Sequence, residues 1–179
     1  AYYADGNTAY YKSVNIGFAI DIGKGLKVLK IDNTISKGIK DIEQDIISLS
    51  GKYLDDTLTI EDITGISFTI TDLSAEGVSF FTPLVNRMNS AILGISSIDE
   101  KLNRLILSVT FDHRVMEGKL VAEFLNELNE RVSSYRSNNY PSTNQYVHCF
   151  KCFKMLKDDL SDVGFTRCIT PKGEEGYIC

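Results

Sequence analysis

The sequence predicts an α+β fold in which a mixed β-sheet is flanked by helices. β-prone runs and two amphipathic helical stripes are both present, but they do not alternate strictly, as they would around a parallel sheet. The chain has 179 residues, of which 43% are hydrophobic and 24% are charged. These values are typical of one soluble globular domain with a small appendage.

A β-hairpin followed by a helix is predicted in the first third of the chain. The β-branched runs 14–21 and 26–31 are separated by Gly23-Lys24-Gly25, and glycine accommodates the positive φ of a hairpin turn. An amphipathic helix is predicted next, with Ser36 as the expected N-cap and Gly51 near the end. Its apolar stripe consists of Ile39, Ile42, Ile46, Leu49 and Tyr53.

Three further strands and a second helix are predicted. Residues 59–62 open a short turn, and strand-like runs cover 66–71, 91–95 and 105–111. A second helical stripe follows Gly118 and consists of Leu120, Val121, Phe124, Leu125, Leu128 and Val132.

A polar stretch at 137–147 predicts a linker, because it contains proline and no hydrophobic periodicity. We therefore expect a main domain over 1–136 and a C-terminal module over 148–179. The module is too short to build its own hydrophobic core, so it needs cross-links or a metal ion.

Charge and hydropathy exclude several classes of protein. The net charge is −5 and the isoelectric point is about 5.1. Without a basic stripe, we expect no binding to nucleic acid. No apolar run reaches the roughly 20 residues of a membrane helix, and the N-terminal residues lack the features of a signal peptide. We expect no membrane association and a cytoplasmic location.

The four cysteines lie within the last 31 residues and predict a structural zinc site that holds the C-terminal module together. Cys149 and Cys152 form a C-x-x-C pair, and Cys168 and Cys179 complete a tetrahedral set. A set of three cysteines with His148 is an alternative. Reduced structural cysteines, a redox pair and two disulfides are the interpretations without zinc.

The segment 112–118 carries the main indication of chemistry. A histidine, His113, stands where a strand ends, and Glu117 follows four residues later. Histidine changes its protonation state near neutral pH, so His113 is suited to act as a general base. From these residues alone, a histidine exposed in a surface loop is the competing interpretation.

Residues 112–118 (DHRVMEG) resemble the DHRxxDG signature of the dihydrolipoamide acyltransferases, the acyl-transferring components of 2-oxo acid dehydrogenase complexes. Their wider superfamily includes chloramphenicol acetyltransferase. The resemblance implies a chloramphenicol acetyltransferase-like fold that is N-terminally incomplete, since only the C-terminal two-thirds of the domain is matched. Five other segments resemble the family in the same order: VNIGFAID (14–21), GLKVL (25–29), FTITDLS (68–74), FTPLVN (81–86) and SAILGI (90–95).

The resemblance also implies roles for individual residues. His113 matches the histidine that removes the proton from an attacking thiol, usually that of coenzyme A. Thr71 matches the hydroxyl that donates to the tetrahedral oxyanion. Glu117 stands where the family has aspartate, so its carboxylate is expected to assist catalysis, with one additional methylene. Asp112 and Arg114 are expected to hold the loop. In the family the histidine and the hydroxyl meet across a subunit boundary, which implies a homotrimer or a larger oligomer.

Three functions are compatible with these residues. The first is acyl transfer from a thioester of coenzyme A, a lipoyl group or an acyl carrier protein to an acceptor thiol or hydroxyl. The second is acetylation of a carrier-bound hydroxyl in tetronate-type natural-product biosynthesis by a stand-alone enzyme, since no segment resembles a lipoyl domain. The third is a non-catalytic trimeric scaffold with a zinc-bearing recognition tail.

Overall fold

A computed structural model describes residues 1–99, 101, 104–139, 146–148, 155–157, 166–169 and 175–178. The chain divides into two compact units, 1–130 and 131–179. The described residues before 140 contain strands β1 (Tyr2–Ala4), β2 (Asn7–Ala9), β3 (Ile16–Ile20), β4 (Lys27–Ile31), β5 (Phe68–Asp72), β6 (Ala91–Ile95) and β7 (Leu107–Phe111), and helices α1 (Ile39–Leu54) and α2 (Gly118–Asn139). Short 3₁₀ turns occupy Thr34–Ser36, Glu61–Ile63 and Ser74–Glu76.

Five strands form one mixed sheet in the order β4-β3-β5-β6-β7. The three central strands run parallel, whereas β4 and β7 at the two edges run antiparallel to their neighbours. This sheet with its helices confirms the predicted α+β class. Each of the five predicted strands begins and ends within two residues of the observed one.

One face of the sheet, here called the helix face, carries the hydrophobic core. Side chains alternate between the two faces of a strand, so the large apolar residues of β3 and β4 collect on this side. They pack against the predicted stripe of α1, and the Phe124 ring of α2 lies 5.9 Å from the Phe68 ring of β5. The core consists of Ile20, Leu29, Ile31 and Leu49, with Phe18, Ile42 and Ile46 packed against it.

Helix α1 begins at Ile39, so the prediction of Ser36 as its N-cap is wrong. Ser36 instead ends a 3₁₀ turn, and its hydroxyl donates to the Asn33 carbonyl at 3.0 Å. Gly38 is the N-cap, and its N–H donates to the Asp41 carboxylate at 3.1 Å. At the start of α1, the Asp41 carboxylate therefore accepts a backbone N–H, whereas the sequence had predicted capping by the Ser36 hydroxyl.

The opposite face of the sheet, here called the loop face, is covered by the extended segment 78–90. Thr71 pairs with Gly94, and Gly94 pairs with Ser108, so these three residues share the loop face. The Ser108 hydroxyl donates to the Phe81 carbonyl at 2.9 Å and ties the segment to β7. A Cβ at Gly94 would lie 2.7 Å from the Ser108 hydroxyl and 2.8 Å from the Phe81 ring. Only glycine allows the segment to approach this closely.

A hairpin of β1 and β2 precedes the sheet, and the sequence analysis missed it. Its strands are antiparallel, with Tyr3 opposite Thr8. Asp5 and Gly6 form the turn with φ of 49° and 81°. An Asp-Gly pair is a strong hairpin signal, but three-residue strands are too short for an alternating pattern to be recognised.

In the second unit, which also contains the end of α2, the described strands form two antiparallel pairs. One joins β8 (Tyr146–His148) to β9 (Met155–Lys157), and the other joins β10 (Thr166–Ile169) to β11 (Glu175–Ile178). Helix α2 extends into the range predicted as a linker, and 140–145 lie outside the described residues. Neither of the two helices in the described part is long and apolar enough to cross a lipid bilayer.

Replacing Gly94 with alanine is expected to destabilise the protein by about 1–3 kcal/mol, because the new methyl displaces Phe81 or Ser108. Gly51→Ala is the matched control. A Cβ at Gly51 meets no atom within 4 Å, and alanine in a helix is favoured over glycine by up to about 1 kcal/mol. Urea unfolding of both variants measures the difference. A Gly94→Ala variant as stable as the parent would contradict this packing.

Candidate active site

His113 lies in a tight turn between β7 and α2. The Asp112 N–H donates to the Ser90 carbonyl at 2.8 Å, which continues the antiparallel ladder one residue beyond β7. The Asp112 carbonyl then accepts hydrogen bonds from Val115 N–H at 2.9 Å and Met116 N–H at 3.2 Å. These two bonds reverse the chain immediately after the strand, as the sequence pattern predicted.

An ion pair between the side chains of Arg114 and Asp112 stabilises this turn. The Arg114 guanidinium contacts both carboxylate oxygens of Asp112, with Nη2 at 2.7 Å from Oδ2 and Nε at 2.9 Å from Oδ1. The Arg114 N–H also donates to Oδ1 at 2.9 Å. The hydrogen bonds from Arg114 lower the pKa of Asp112 from 3.8 to about 2. Because this pKa is lowered on folding, the stabilisation is present above about pH 4 and is lost as the pH falls through about 2.

The His113 side chain is exposed within the single chain. Its ring lies 4.7 Å from the Phe111 ring at an interplanar angle of 52°. Neither ring nitrogen forms a hydrogen bond with a residue that the structure describes. The imidazole is thus supported on one side by an aromatic ring, and its nitrogens are open to a proton donor from outside the chain.

Thr71 lies on β5, on the loop face, between Ala19 of β3 and Gly94 of β6. It is half-buried, and its hydroxyl has no partner among the described residues. The side chains on either side of it are small, so the hydroxyl is not covered by its lateral neighbours. Such a hydroxyl is suited to donate a hydrogen bond to a bound substrate.

A single chain does not bring Thr71 and His113 together. Along β6, Thr71 is level with Gly94, whereas Asp112 is level with Ser90, four residues earlier. Four residues of strand span about 13 Å, and the two strand spacings from β5 to β7 add about 10 Å sideways. A general base and an oxyanion donor act on one carbonyl group, so these two residues do not form one site within the chain.

Glu117 stands at the start of α2, where its carbonyl accepts hydrogen bonds from Leu120 N–H at 3.1 Å and Val121 N–H at 3.4 Å. Its side chain is exposed and forms no ion pair with a described residue. Aspartate and asparagine cap a helix at this position by reaching back to the first N–H groups, and glutamate is a poorer cap. The Glu117 carboxylate accepts no hydrogen bond from the first N–H groups of α2 among the described residues.

A buried polar cluster on the loop face was not predicted from the sequence. Thr69 is fully buried, and its hydroxyl donates to Asn89 Oδ1 at 2.7 Å and accepts from Asn86 Nδ2 at 3.1 Å. The Asn89 amide donates in turn to the Ile66 carbonyl at 2.8 Å. These bonds anchor segment 78–90 on the same strand that carries Thr71. Two asparagines near the FTPLVN segment were the only sequence signal for this cluster.

An apolar cavity of about 450 Å³ lies on the helix face, beside the turn. Its lining includes Phe68, Ala91, Val109, Met116, Val121 and Phe124. None of the three side chains predicted to act in catalysis lines it. The cavity is therefore distinct from the predicted active site.

The predicted metal ligands fall largely outside the described residues. This holds for Cys149, Cys152 and Cys179, whereas Cys168 lies on β10, where it pairs with Gly176. In the part of the chain that the structure describes, no group of three or more His, Cys, Asp or Glu side chains is placed to hold a metal ion.

The chain matches known proteins over most of its length. Residues 1–138 match the family model described as 2-oxoacid dehydrogenases acyltransferase (catalytic domain). The chain is 38% identical, over 132 residues, to the dihydrolipoyllysine-residue acetyltransferase component of the pyruvate dehydrogenase complex of Buchnera aphidicola subsp. Acyrthosiphon pisum. That match covers 68% of this chain and 33% of the relative. The chain thus spans about a third of the length of the curated relative it matches.

Solved structures resemble the fold over similar lengths. A probable dihydrolipoamide acetyltransferase from Listeria monocytogenes has a TM-score of 0.69 at 27% identity, covering 79% of this chain and 64% of the other. The cubic core of the pyruvate dehydrogenase multienzyme complex has a TM-score of 0.61 at 32% identity, covering 70% and 56%.

A third structure bears on the site. Azotobacter vinelandii dihydrolipoamide acetyltransferase has a TM-score of 0.64 at 31% identity, covering 74% of this chain and 59% of the other. It was solved to study a serine, a histidine and an asparagine in its catalytic mechanism, and the asparagine follows the histidine by four residues. The same interval separates Glu117 from His113. With 138 of its 179 residues matched by the family model, the chain belongs to the 2-oxoacid dehydrogenase acyltransferase (catalytic domain) family.

Proposed function

We propose that this chain transfers an acyl group from a thioester to an acceptor thiol, with His113 as the general base. The observation that carries the proposal is the exposed imidazole at the end of β7, which has no hydrogen-bond partner among the described residues. Coenzyme A and a dihydrolipoyl group are the proposed thiols, because the related proteins are dihydrolipoyllysine acyltransferases.

The proposed reaction has two steps. His113 takes the proton from the acceptor thiol, and the resulting thiolate attacks the carbonyl carbon of the acyl thioester. The carbonyl oxygen of the tetrahedral intermediate accepts a hydrogen bond from the Thr71 hydroxyl. When the intermediate collapses, the original carbon–sulfur bond breaks and the leaving thiolate takes the proton back from the His113 imidazolium.

We further propose that each site lies between two copies of the chain. The support is the separation of His113 and Thr71 at opposite ends of the sheet, together with a hydroxyl and an imidazole there that have no hydrogen-bond partner among the described residues. A homotrimer is the smallest cyclic assembly that fits the family resemblance. In such an assembly every subunit contributes His113 to one site and Thr71 to another.

Glu117 has a secondary role in this proposal. Its carboxylate is exposed and four residues from His113, where the Azotobacter protein has an asparagine. Glutamate is longer and charged, so it changes the polarity next to the acceptor. An acceptor hydroxyl on a carrier-bound substrate is the second candidate function, and Glu117 is the observation that favours it.

A transfer assay tests the proposed function. We expect the chain, mixed with acetyl-coenzyme A, to acetylate dihydrolipoamide, and we expect His113→Ala to lower the rate by about 10²–10⁴-fold. Thr71→Val should lower it by about 10²–10³-fold, because a preorganised oxyanion donor is removed. Thr110→Val is the matched control, because the Thr110 hydroxyl is buried without a partner among the described residues and its loss costs nothing.

Assays with thiol and alcohol acceptors distinguish between the proposed functions. Transfer to a carrier-bound alcohol but not to a thiol, again lost in His113→Ala, would replace the thiol acceptor with a hydroxyl. Turnover with neither class of acceptor, or turnover that survives His113→Ala, would contradict the proposed function and favour a non-catalytic scaffold.

We also propose a structural zinc ion in the second unit, with Cys149, Cys152, Cys168 and Cys179 as ligands. The support is that β8 and β9, the strands before and after the Cys149–Cys152 pair in the sequence, are paired antiparallel. Two cysteines separated by two residues can bind one zinc ion, and thiolates are the ligands that zinc prefers.

Elemental analysis tests this proposal. The purified chain should carry about one zinc ion, and Cys149→Ser should lose it, because a tetrahedral site does not survive with three ligands at the same affinity. His148→Gln is the control that separates the two ligand sets, since it retains zinc only if all four cysteines bind. A metal-free chain with fully reduced cysteines would contradict the proposal.

A further inference from the structure

Two tyrosines near the N-terminus contact the turn that carries His113 or the segment that leads to it. The Tyr11 hydroxyl donates to the Met88 carbonyl at 2.7 Å, in the segment that leads to Ser90. Ser90 in turn accepts the Asp112 N–H. The Tyr2 ring packs on the Tyr11 ring at 5.4 Å between centroids, which holds the hairpin strand β1 in place.

Tyr3 makes the second attachment. The Arg114 Cζ lies 4.4 Å from the centroid of the Tyr3 ring, within the range of a cation–π interaction. The same guanidinium is bound by both oxygens of Asp112. Arg114 is therefore held between an aromatic face on one side and a carboxylate on the other. Its side chain is otherwise 63% exposed, so these two contacts set its position.

We propose that Tyr3 is a positioning residue for His113, acting through the Arg114–Asp112 pair. His113 stands between these two residues in the chain, so its backbone orientation follows from theirs. If the Tyr3 ring is removed, the Arg114 side chain becomes more mobile and its ion pair with Asp112 weakens. The His113 imidazole then samples positions away from the acceptor. A displacement of about one ångström is enough to affect the rate. This inference rests on the proposed function of His113.

The ring of Tyr3, rather than its hydroxyl, makes the contact. The hydroxyl forms no hydrogen bond with a described residue, whereas the ring faces the guanidinium. A phenylalanine at position 3 should therefore preserve the contact with Arg114. A leucine, which has similar apolar volume but no π face, should not. Tyr10 offers a control in the same part of the chain, because its side chain is 80% exposed and makes no such contact.

The test combines kinetics with nuclear magnetic resonance of the 179-residue chain. Tyr3→Leu should lower kcat by about five- to tenfold with little change in KM, whereas Tyr3→Phe and Tyr10→Leu should match the parent. In the Arg114→Gln background, Tyr3→Leu should cause no further loss, since the two residues act through one interaction. Additive losses, or equal losses from Tyr3→Leu and Tyr10→Leu, would overturn the proposal.

The imidazole signals supply a readout that does not depend on turnover. The chain has two histidines, and His148 in the second unit serves as the internal reference. Tyr3→Leu should shift or broaden the His113 signals and leave those of His148 unchanged, and Tyr3→Phe should leave both unchanged. If His113→Ala has no effect on transfer, the proposed function fails, yet these signals still decide whether Tyr3 positions His113. Unchanged His113 signals in Tyr3→Leu would overturn the inference.

Discussion

The hydrogen-bonded ladder between β6 and β7 fixes where the candidate catalytic histidine, His113, is placed. Because β7 runs antiparallel to β6, it ends beside the beginning of β6, at Ala91 and Ser90. Because β5 runs parallel to β6, Thr71 is level with Gly94, near the end of β6. A mixed sheet thus separates two residues that the proposed reaction needs on one carbonyl group. A second copy of the chain is the simplest way to join them.

The turn after β7 determines where the His113 side chain lies relative to the strand. Backbone bonds to the Asp112 carbonyl reverse the chain, and the pair of Arg114 with Asp112 closes the turn from outside. The low pKa of Asp112 means that this pair stays charged throughout the pH range in which an imidazole can act as a base.

Sequence reasoning was most successful where a pattern repeats. The five strands were predicted from apolar, β-prone runs and α1 from its three-and-four spacing, because each element must bury apolar side chains. The candidate site residues in the turn were predicted from their resemblance to a family signature. Their placement was not, since strand order and register follow from tertiary packing and not from local periodicity.

Features without a period were missed or misplaced. At the start of α1 the Asp41 carboxylate accepts the Gly38 N–H, whereas the Ser36 hydroxyl donates to the Asn33 carbonyl in the preceding 3₁₀ turn. The buried cluster around Thr69 joins residues about twenty positions apart, and the contact of Tyr3 with Arg114 joins the two ends of the first unit. No local window contains both partners of such a pair, so only the folded chain reveals them.

Complementation between two inactive variants tests the two-subunit site most directly. His113→Ala and Thr71→Val chains are unfolded, mixed in equal amounts and refolded together, and acyl transfer is measured. If each site takes His113 from one subunit and Thr71 from its neighbour, about a quarter of the sites in random assemblies combine two intact residues, and activity returns to about a quarter of the parent value. Refolded mixtures that stay as inactive as the separate variants, while the refolded parent recovers, would contradict the account.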